Sequence, residues 1–313
     1  MILFADRICD HQILRHFLCV WRALAALEYR NDFMNDTPIG SDEKAVPTLD
    51  ELRQRIDRID ESIHLNLIER SEIVEALIAV KRTDKPGAAF RPGREMDMMR
   101  RLVGRHRGIL PITAVEHLWR EIIATFTHMQ APYEVVVEPG ADLRDMARFY
   151  FGFTVGFTQA QTRDQVIEQV RTGQGRVLGV AGNEPDAQKA WWIPLSDKGV
   201  QVIARLPVIA QAGRPAAKDC FVLSMPLMDT TVPDIRLVAL SAPSGSGVDD
   251  AITSVGGGIL SRVMEEGHCE ILAAMPFSVS NVEIESLTRL ADNPMVIRGN
   301  VGGYWSPIAL SSL

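Results

Sequence analysis

Cysteine is scarce in this 313-residue chain: Cys9, Cys19, Cys220 and Cys269 are all there is, and no two form a CxxC pair. That spacing supports neither a zinc site nor a disulfide framework, and a reducing cytoplasm is the expected home. The seven histidines are scattered, with no HExxH. The pattern therefore gives no sign of a zinc site. A run of 18 apolar residues is also missing, so no membrane-spanning helix is expected. The N-terminal stretch is broken by Asp6, Arg7, Asp10, Arg15 and Arg22, unlike a secretory apolar region. An amphipathic helix or a tail is the expectation there, with Met34 as an alternative start. Nor is there a basic surplus. The net charge is −7 and the pI about 5.6, which argues against holding nucleic acid by bulk charge. A local basic site for a small anion stays open.

What is present is enough apolar material, 46% of the residues, for packed cores, in a chain long enough for two or three domains. Residues 1–47 read as an extension and a polar linker ending at Pro47. Thr48, followed three residues later by Glu51, is a capping box that starts a helix. Apolar residues then recur at 49, 52, 56, 59 and 63, and again at 73, 77 and 80. That alternation of three and four is a bundle seam. A helix from Thr48 to about Arg82 is roughly 50 Å long and needs a partner along its length, which a dimer supplies. Pro86, Gly87, Pro92 and Gly93 break it. A second helix is expected over 94–107 and a third over 112–130, with Val115, Leu118, Ile122, Phe126 and Met129 on its apolar face.

Beyond Pro132 the period changes. EVVVEP, GFTQA, RVLGVAG, WWIPL and VQVIARLPVIA read as strands, and DLRDMARFYFG and DQVIEQVRTG as helices, giving an α/β segment over 132–230. Residues 231–313 run strand, helix, strand pair, helix, strand. That is the ferredoxin-like βαββαβ unit. The glycines of GNVGGY (299–304) read as turn residues, since no helix follows to make a phosphate loop.

The seam of the first helix is interrupted by Asn66 and Arg70. A guanidinium inside a bundle needs a partner. Lys81 lies three turns further over nearly the same face. Either Arg70 pairs with Glu69, Glu72 or Glu95, or Arg70 and Lys81 hold an anionic ligand between helices, where bundle sites are built. Glu95, in the first turn of the second helix beside Arg94, is favoured by the helix dipole in any case. Gln130 ends the third helix as a neutral donor.

Residues 49–130, with LDELRQRIDRIDESIHLNLIERSEIVEALIAVKR, then Arg94-Glu95, then WREIIATFTHMQ, resemble the all-helical chorismate mutases. The resemblance implies a three-helix domain over 48–131 in an intertwined homodimer, rearranging chorismate to prephenate in the cytoplasm for phenylalanine and tyrosine synthesis, with no metal and no cofactor. It implies that Arg70 binds one carboxylate, that Arg53 reaches the second from the other subunit, and that Lys81 touches a carboxylate and the ether oxygen. Gln130 would donate to that oxygen, Glu95 would accept from the ring hydroxyl, and Arg94 would shape that end. Two positions depart from the family. An acidic residue is common where Arg91 stands, and a small hydroxyl residue where Phe126 stands.

The order of the segments resembles the bifunctional chorismate mutase–prephenate dehydratases. The dehydratase Thr-Arg-Phe falls at Asp219-Cys220-Phe221, so its threonine and arginine are missing and dehydratase activity is not expected. Residues 231–313 resemble a degenerate ACT domain in which Gly247, Ser261 and Arg262 survive of the effector-binding positions. An aromatic amino acid effector is one reading of that unit and a structural role the other. Two further alternatives are a bifunctional mutase–dehydratase and a non-catalytic protein that binds aromatic amino acids.

Overall fold

The computed structural model describes residues 46–81, 90–185, 187–228, 231–244, 247–280, 282–284, 286 and 295–310. The expectations for residues 1–45, including the alternative start, lie outside these residues, and so does most of the helix expected over 282–291.

Helix α1 (Leu49–Lys81) starts where the capping box places it. The Thr48 amide donates to Glu51 Oε2 at 2.8 Å, and the Glu51 amide donates to Thr48 Oγ1 at 3.3 Å. The bond from the Thr48 amide, then that from its hydroxyl, hold the Glu51 carboxyl below its ordinary range. The seam of this helix is uncovered among the described residues. Leu49, Leu52, Ile56, Ile59 and Ile63 are each 40–62% exposed. Further along, Leu65, Ile68, Ile73 and Val80 are exposed too, whereas Val74 is buried.

Helix α2 (Pro92–Arg105) begins two residues earlier than its apolar pattern suggests, because Pro92 fits the first helical turn, where no amide bond is lost. Helix α3 (Ile112–Gln130) has the expected span, and Val115 and Phe126 of its expected face are buried. Leu118 and Met129 are exposed, while Glu116, Arg120, Ile123 and Thr127 are buried. Two charged residues sit on the inward face, and they misdirect a pattern based on apolar residues alone.

The remaining elements in chain order are β1 (Glu134–Val137), α4 (Ala141–Phe151), β2 (Gly156–Gln159), α5 (Arg163–Thr172), β3 (Val177–Gly182), α6 (Ile193–Lys198), β4 (Gln201–Leu206), β5 (Ile209–Ala210), β6 (Cys220–Ser224), β7 (Ile235–Pro243), α7 (Val248–Ser254), β8 (Gly258–Glu265), β9 (His268–Pro276), β10 (Val296–Tyr304) and β11 (Ile308–Ala309). WWIPL is thus not a strand. Trp191 and Trp192 are buried, Pro194 lies in the first turn of α6, and Gly199 ends it in the left-handed region at φ 67°.

Nine strands form one sheet in the order β2-β1-β3-β6-β4-β10-β7-β9-β8. β1 pairs in parallel with β2 and β3, and β3, β6 and β4 are antiparallel. β10, β7, β9 and β8 form an antiparallel set whose spatial order is that of the ferredoxin-like unit. The segments divided at residue 230 therefore share a sheet, joined where β10 runs parallel to β4 with Gly302 opposite Val202. The glycines of GNVGGY are strand residues, not turn residues. Gly302 has φ 114°, and a Cβ there would come within 2.2 Å of the Val202 carbonyl oxygen; one on Gly303 would come within 2.4 Å of the Ile235 oxygen. Bare backbone lets β10 fit between β4 and β7.

Both faces of the sheet are covered. Along β1, Val135 and Val137 face one core with α4, α3 and α2, whereas Val136 faces a second core with α5 and the two tryptophans ahead of α6. A third core, with Leu240, Ile252, Ile271 and Met275, underlies the ferredoxin-like unit. Helix α3 is tied to the sheet by charge as well. Glu116 Oε2 lies 3.0 Å from Arg214 Nη2, in the loop after β5, and both side chains are 1% exposed.

Replacing Arg214 by Met strands the Glu116 carboxylate. We expect Arg214→Met to cost about 3–5 kcal/mol of unfolding free energy at neutral pH. Burial already holds the Glu116 carboxyl above its ordinary range, against the pull of Arg214. A carboxyl raised in the folded state adds stability below its unfolded value of about 4.3, and that stability is lost as pH rises through the folded value. The deficit of the variant relative to wild type should thus shrink on acidification. Urea denaturation at acid and neutral pH measures it, and a pH-independent deficit would contradict the pairing.

Candidate active site

Three helices wall a pocket of about 350 Å³. Helix α1 supplies Arg70, Ile73, Val74 and Leu77, a stripe at helical spacing. The start of α2 supplies Arg91, Arg94 and Glu95, then Met98 and Arg101 one and two turns on. Helix α3 supplies Ile123, Phe126, Thr127 and Gln130. Four guanidiniums and one carboxylate thus meet in one concavity.

Arg70 lies deepest among the cations. Its guanidinium carbon is 4.0 Å from the centre of the Phe126 ring, and its Nη1 is buried with no hydrogen-bond partner among the described residues. Burial, and after it the neighbouring Arg94, pulls Arg70 below its ordinary value. Neither Glu69 nor Glu72 answers it, and Glu95 is engaged elsewhere. The Gln130 amide donates to the Phe126 carbonyl at 3.1 Å, and its second N–H remains for another acceptor. Such a site can bind an anion and offer neutral donation to an oxygen near it.

Glu95 has a partner that sequence spacing did not suggest. Its Oε2 accepts from Arg120 Nη1 at 2.8 Å, with side-chain exposures of 15% and 3%. Arg120 in turn donates through Nε to the Tyr150 carbonyl at 3.1 Å and lies 3.5 Å from the centre of the Tyr150 ring. The signal was present as Glu116 and Arg120 one helical turn apart on α3, but their partners are 25 or more residues away in sequence.

Arg70, Arg94, Glu95 and Gln130 are therefore brought together. Lys81 closes α1, and its side chain lies outside the described residues. Arg53 is exposed in the N-terminal part of α1, 3.5 Å from Asp50. The effector-type positions are engaged within the chain. Gly247 caps α7 at φ 68°. The Ser261 hydroxyl donates to the Glu184 carbonyl, and Arg262 Nη2 donates to Asp249 at 2.5 Å. The Arg262 backbone is bonded to Pro185 and Ala187. At the position of the dehydratase Thr-Arg pair, Asp219 binds Arg205 at 2.8–2.9 Å and Asn183 at 2.7 Å, and Cys220 is buried.

The chorismate mutase type II family matches residues 52–131. Those residues are a chorismate mutase domain. Two curated relatives, both bifunctional chorismate mutase/prephenate dehydratases, align with the chain. The one from Neisseria gonorrhoeae is 31% identical over 137 residues, 42% of this chain and 37% of that protein. The one from Aquifex aeolicus is 30% identical over 131 residues, 40% and 36%. The chain thus spans little more than a third of the length of these relatives. A solved prephenate dehydratase from Streptococcus mutans has a TM-score of 0.34 at 10% identity, over 55% of this chain and 97% of its own. The pocket with Arg70 lies inside the mutase domain, walled by its three helices.

Arg70 is a half-buried cation with no counter-ion among the described residues. Arg70→Met should leave the unfolding free energy level or raise it by about 1 kcal/mol. Urea denaturation measures this. A loss beyond about 2 kcal/mol would assign Arg70 to the fold and not to a ligand.

Proposed function

We propose that this chain is a cytoplasmic chorismate mutase that converts chorismate to prephenate in the pocket between α1, α2 and α3. The observation that carries the reading is the buried Nη1 of Arg70, without a hydrogen-bond partner among the described residues, beside three more arginines and a glutamine amide.

The rearrangement breaks the ether C–O bond and forms a C–C bond within one molecule, so it asks for no nucleophile and no proton. It asks for a dianion held in a compact conformer and for stabilisation of charge growing on the ether oxygen. Arg70 binds one carboxylate through its fork of donors. Gln130 donates its second N–H to the ether oxygen, with Lys81, from the end of α1, as the other donor there. Glu95 accepts from the ring hydroxyl beside Arg94. Arg53 comes to the second carboxylate from a second copy of the chain.

The homodimer is part of the proposal, and the exposed seam supports it. A row of leucines and isoleucines on one face of a 33-residue helix is an apolar surface that water disfavours, and a second copy of the same helix is its natural cover. The ferredoxin-like unit is read as structural, because Ser261 and Arg262 are spent on contacts within the chain.

Purified protein should consume chorismate, followed by loss of its ultraviolet absorbance. Arg70→Ala should lower kcat/KM by about a hundredfold or more while the protein stays folded. A wild-type chain that leaves chorismate untouched would end the mutase reading. Ile59→Lys, at the middle of the seam, should convert a dimer to a monomer in analytical ultracentrifugation and lose turnover with it. An active monomer would show that no second copy contributes to the site.

A further inference from the structure

Glu95 stands in a pocket with four arginines, and any of them could take its carboxylate as a salt-bridge partner. Its ion pair is instead with Arg120, which is not in that pocket's wall. Arg120 is itself fixed at two further points, the Tyr150 carbonyl and the Tyr150 ring of α4. We propose that Arg120 is a positioning residue that holds Glu95 away from Arg70 and its neighbours, so that the pocket's cations stay available to the substrate's carboxylates. The proposal rests on the mutase reading above for the identity of the substrate, but not for the competition between Glu95 and an incoming anion.

The physical basis is a choice between partners. A carboxylate beside several exposed guanidiniums gains by pairing with one of them, and each such pair removes one anion-binding group. Arg120 offers a drier and better-fixed partner. It is 3% exposed, its Nε is already committed to a backbone carbonyl, and a phenol ring covers its face. Less side-chain freedom is lost on pairing with a group already held. Glu95 uses one oxygen for this bond, Oε2, and a carboxylate retains further acceptor sites for a substrate hydroxyl. The group that fixes this arrangement, Tyr150, belongs to the α/β part of the chain. The mutase pocket therefore depends on an element outside residues 52–131.

A double-mutant cycle on the full chain separates this role from a merely structural one. Arg120→Met should raise KM for chorismate about tenfold, with a smaller effect on kcat, because the freed Glu95 closes on Arg70 or Arg94. Glu95→Gln keeps an acceptor for the hydroxyl and cannot form an ion pair. Combined with Arg120→Met, it should bring KM back toward that of Glu95→Gln alone. Independent, multiplying losses in the double variant would overturn the proposal. If Arg120→Met does not fold, Arg120→Lys takes its place. One ammonium group cannot hold the Tyr150 carbonyl and Glu95 Oε2 as the guanidinium does, so the same rescue is expected. Calorimetric titration of the same proteins with inorganic sulfate reads the competition without turnover. Weaker binding in the Arg120 variant, restored in the double variant, supports the role; equal binding in all of them refutes it. A wild-type chain inert toward chorismate would sink the mutase reading alone, and the sulfate titrations would still decide this one.

Discussion

Two ionised side chains one turn apart on α3, Glu116 and Arg120, are buried where a bundle helix would ordinarily carry leucine. An uncompensated charge in such a place costs several kcal/mol, so the position of α3 is acceptable only if each finds its partner. Arg214 comes from the loop after β5, and Glu95 comes from α2 with the Tyr150 carbonyl beside it. These contacts join helices that begin as a separate sequence block to the sheet that follows. The apolar core that α2, α3 and α4 share with β1 surrounds them. It supplies the bulk of the burial but little directional preference. The ion pairs fix which face of α3 turns inward, and hence which of its side chains line the pocket.

The pocket itself is an exercise in unequal neighbours. Arg70 is desolvated and rests on Phe126, while Arg91, Arg94 and Arg101 are exposed at its margins. A desolvated cation binds an anion more strongly than an exposed one, because fewer waters screen it. Arg91 and Phe126 are also the two places where the chain departs from the pattern of the helical mutases. One adds a positive charge at the opening, and the other replaces a small hydroxyl with a ring that Arg70 lies against.

Local signals carried the helical domain a long way. The capping box at Thr48 and the seam of α1 are each decided by residues a few positions apart, and the structure places them accordingly. Arg70 could be singled out because it breaks a period, and breaks of period are visible in one dimension. Arg120 could not, since its acceptors, Glu95 and the Tyr150 carbonyl, are brought to it only by packing. The same limit explains the charged residues on the buried face of α3 and the tryptophan pair ahead of α6, whose burial looks like that of a strand until Pro194 and Gly199 are seen to bracket one and a half turns of helix. The glycines of β10 show it again. A residue without a side chain reads as a turn, and only the neighbouring backbones at Val202 and Ile235 reveal why nothing larger fits.

That strand also orders events in time. β10 is the last in chain order of the nine strands, yet it lies between β4 and β7, at the join of the parallel-rich half and the antiparallel half. On the ribosome, the other eight are exported while their shared centre is still unfilled. Each half can settle its own pairings early, but the two become one sheet only when residues 296–304 emerge and slot in, with the glycines making a narrow fit passable. Until then β4 and β7 present open edges, and an open edge is a template for pairing with another chain.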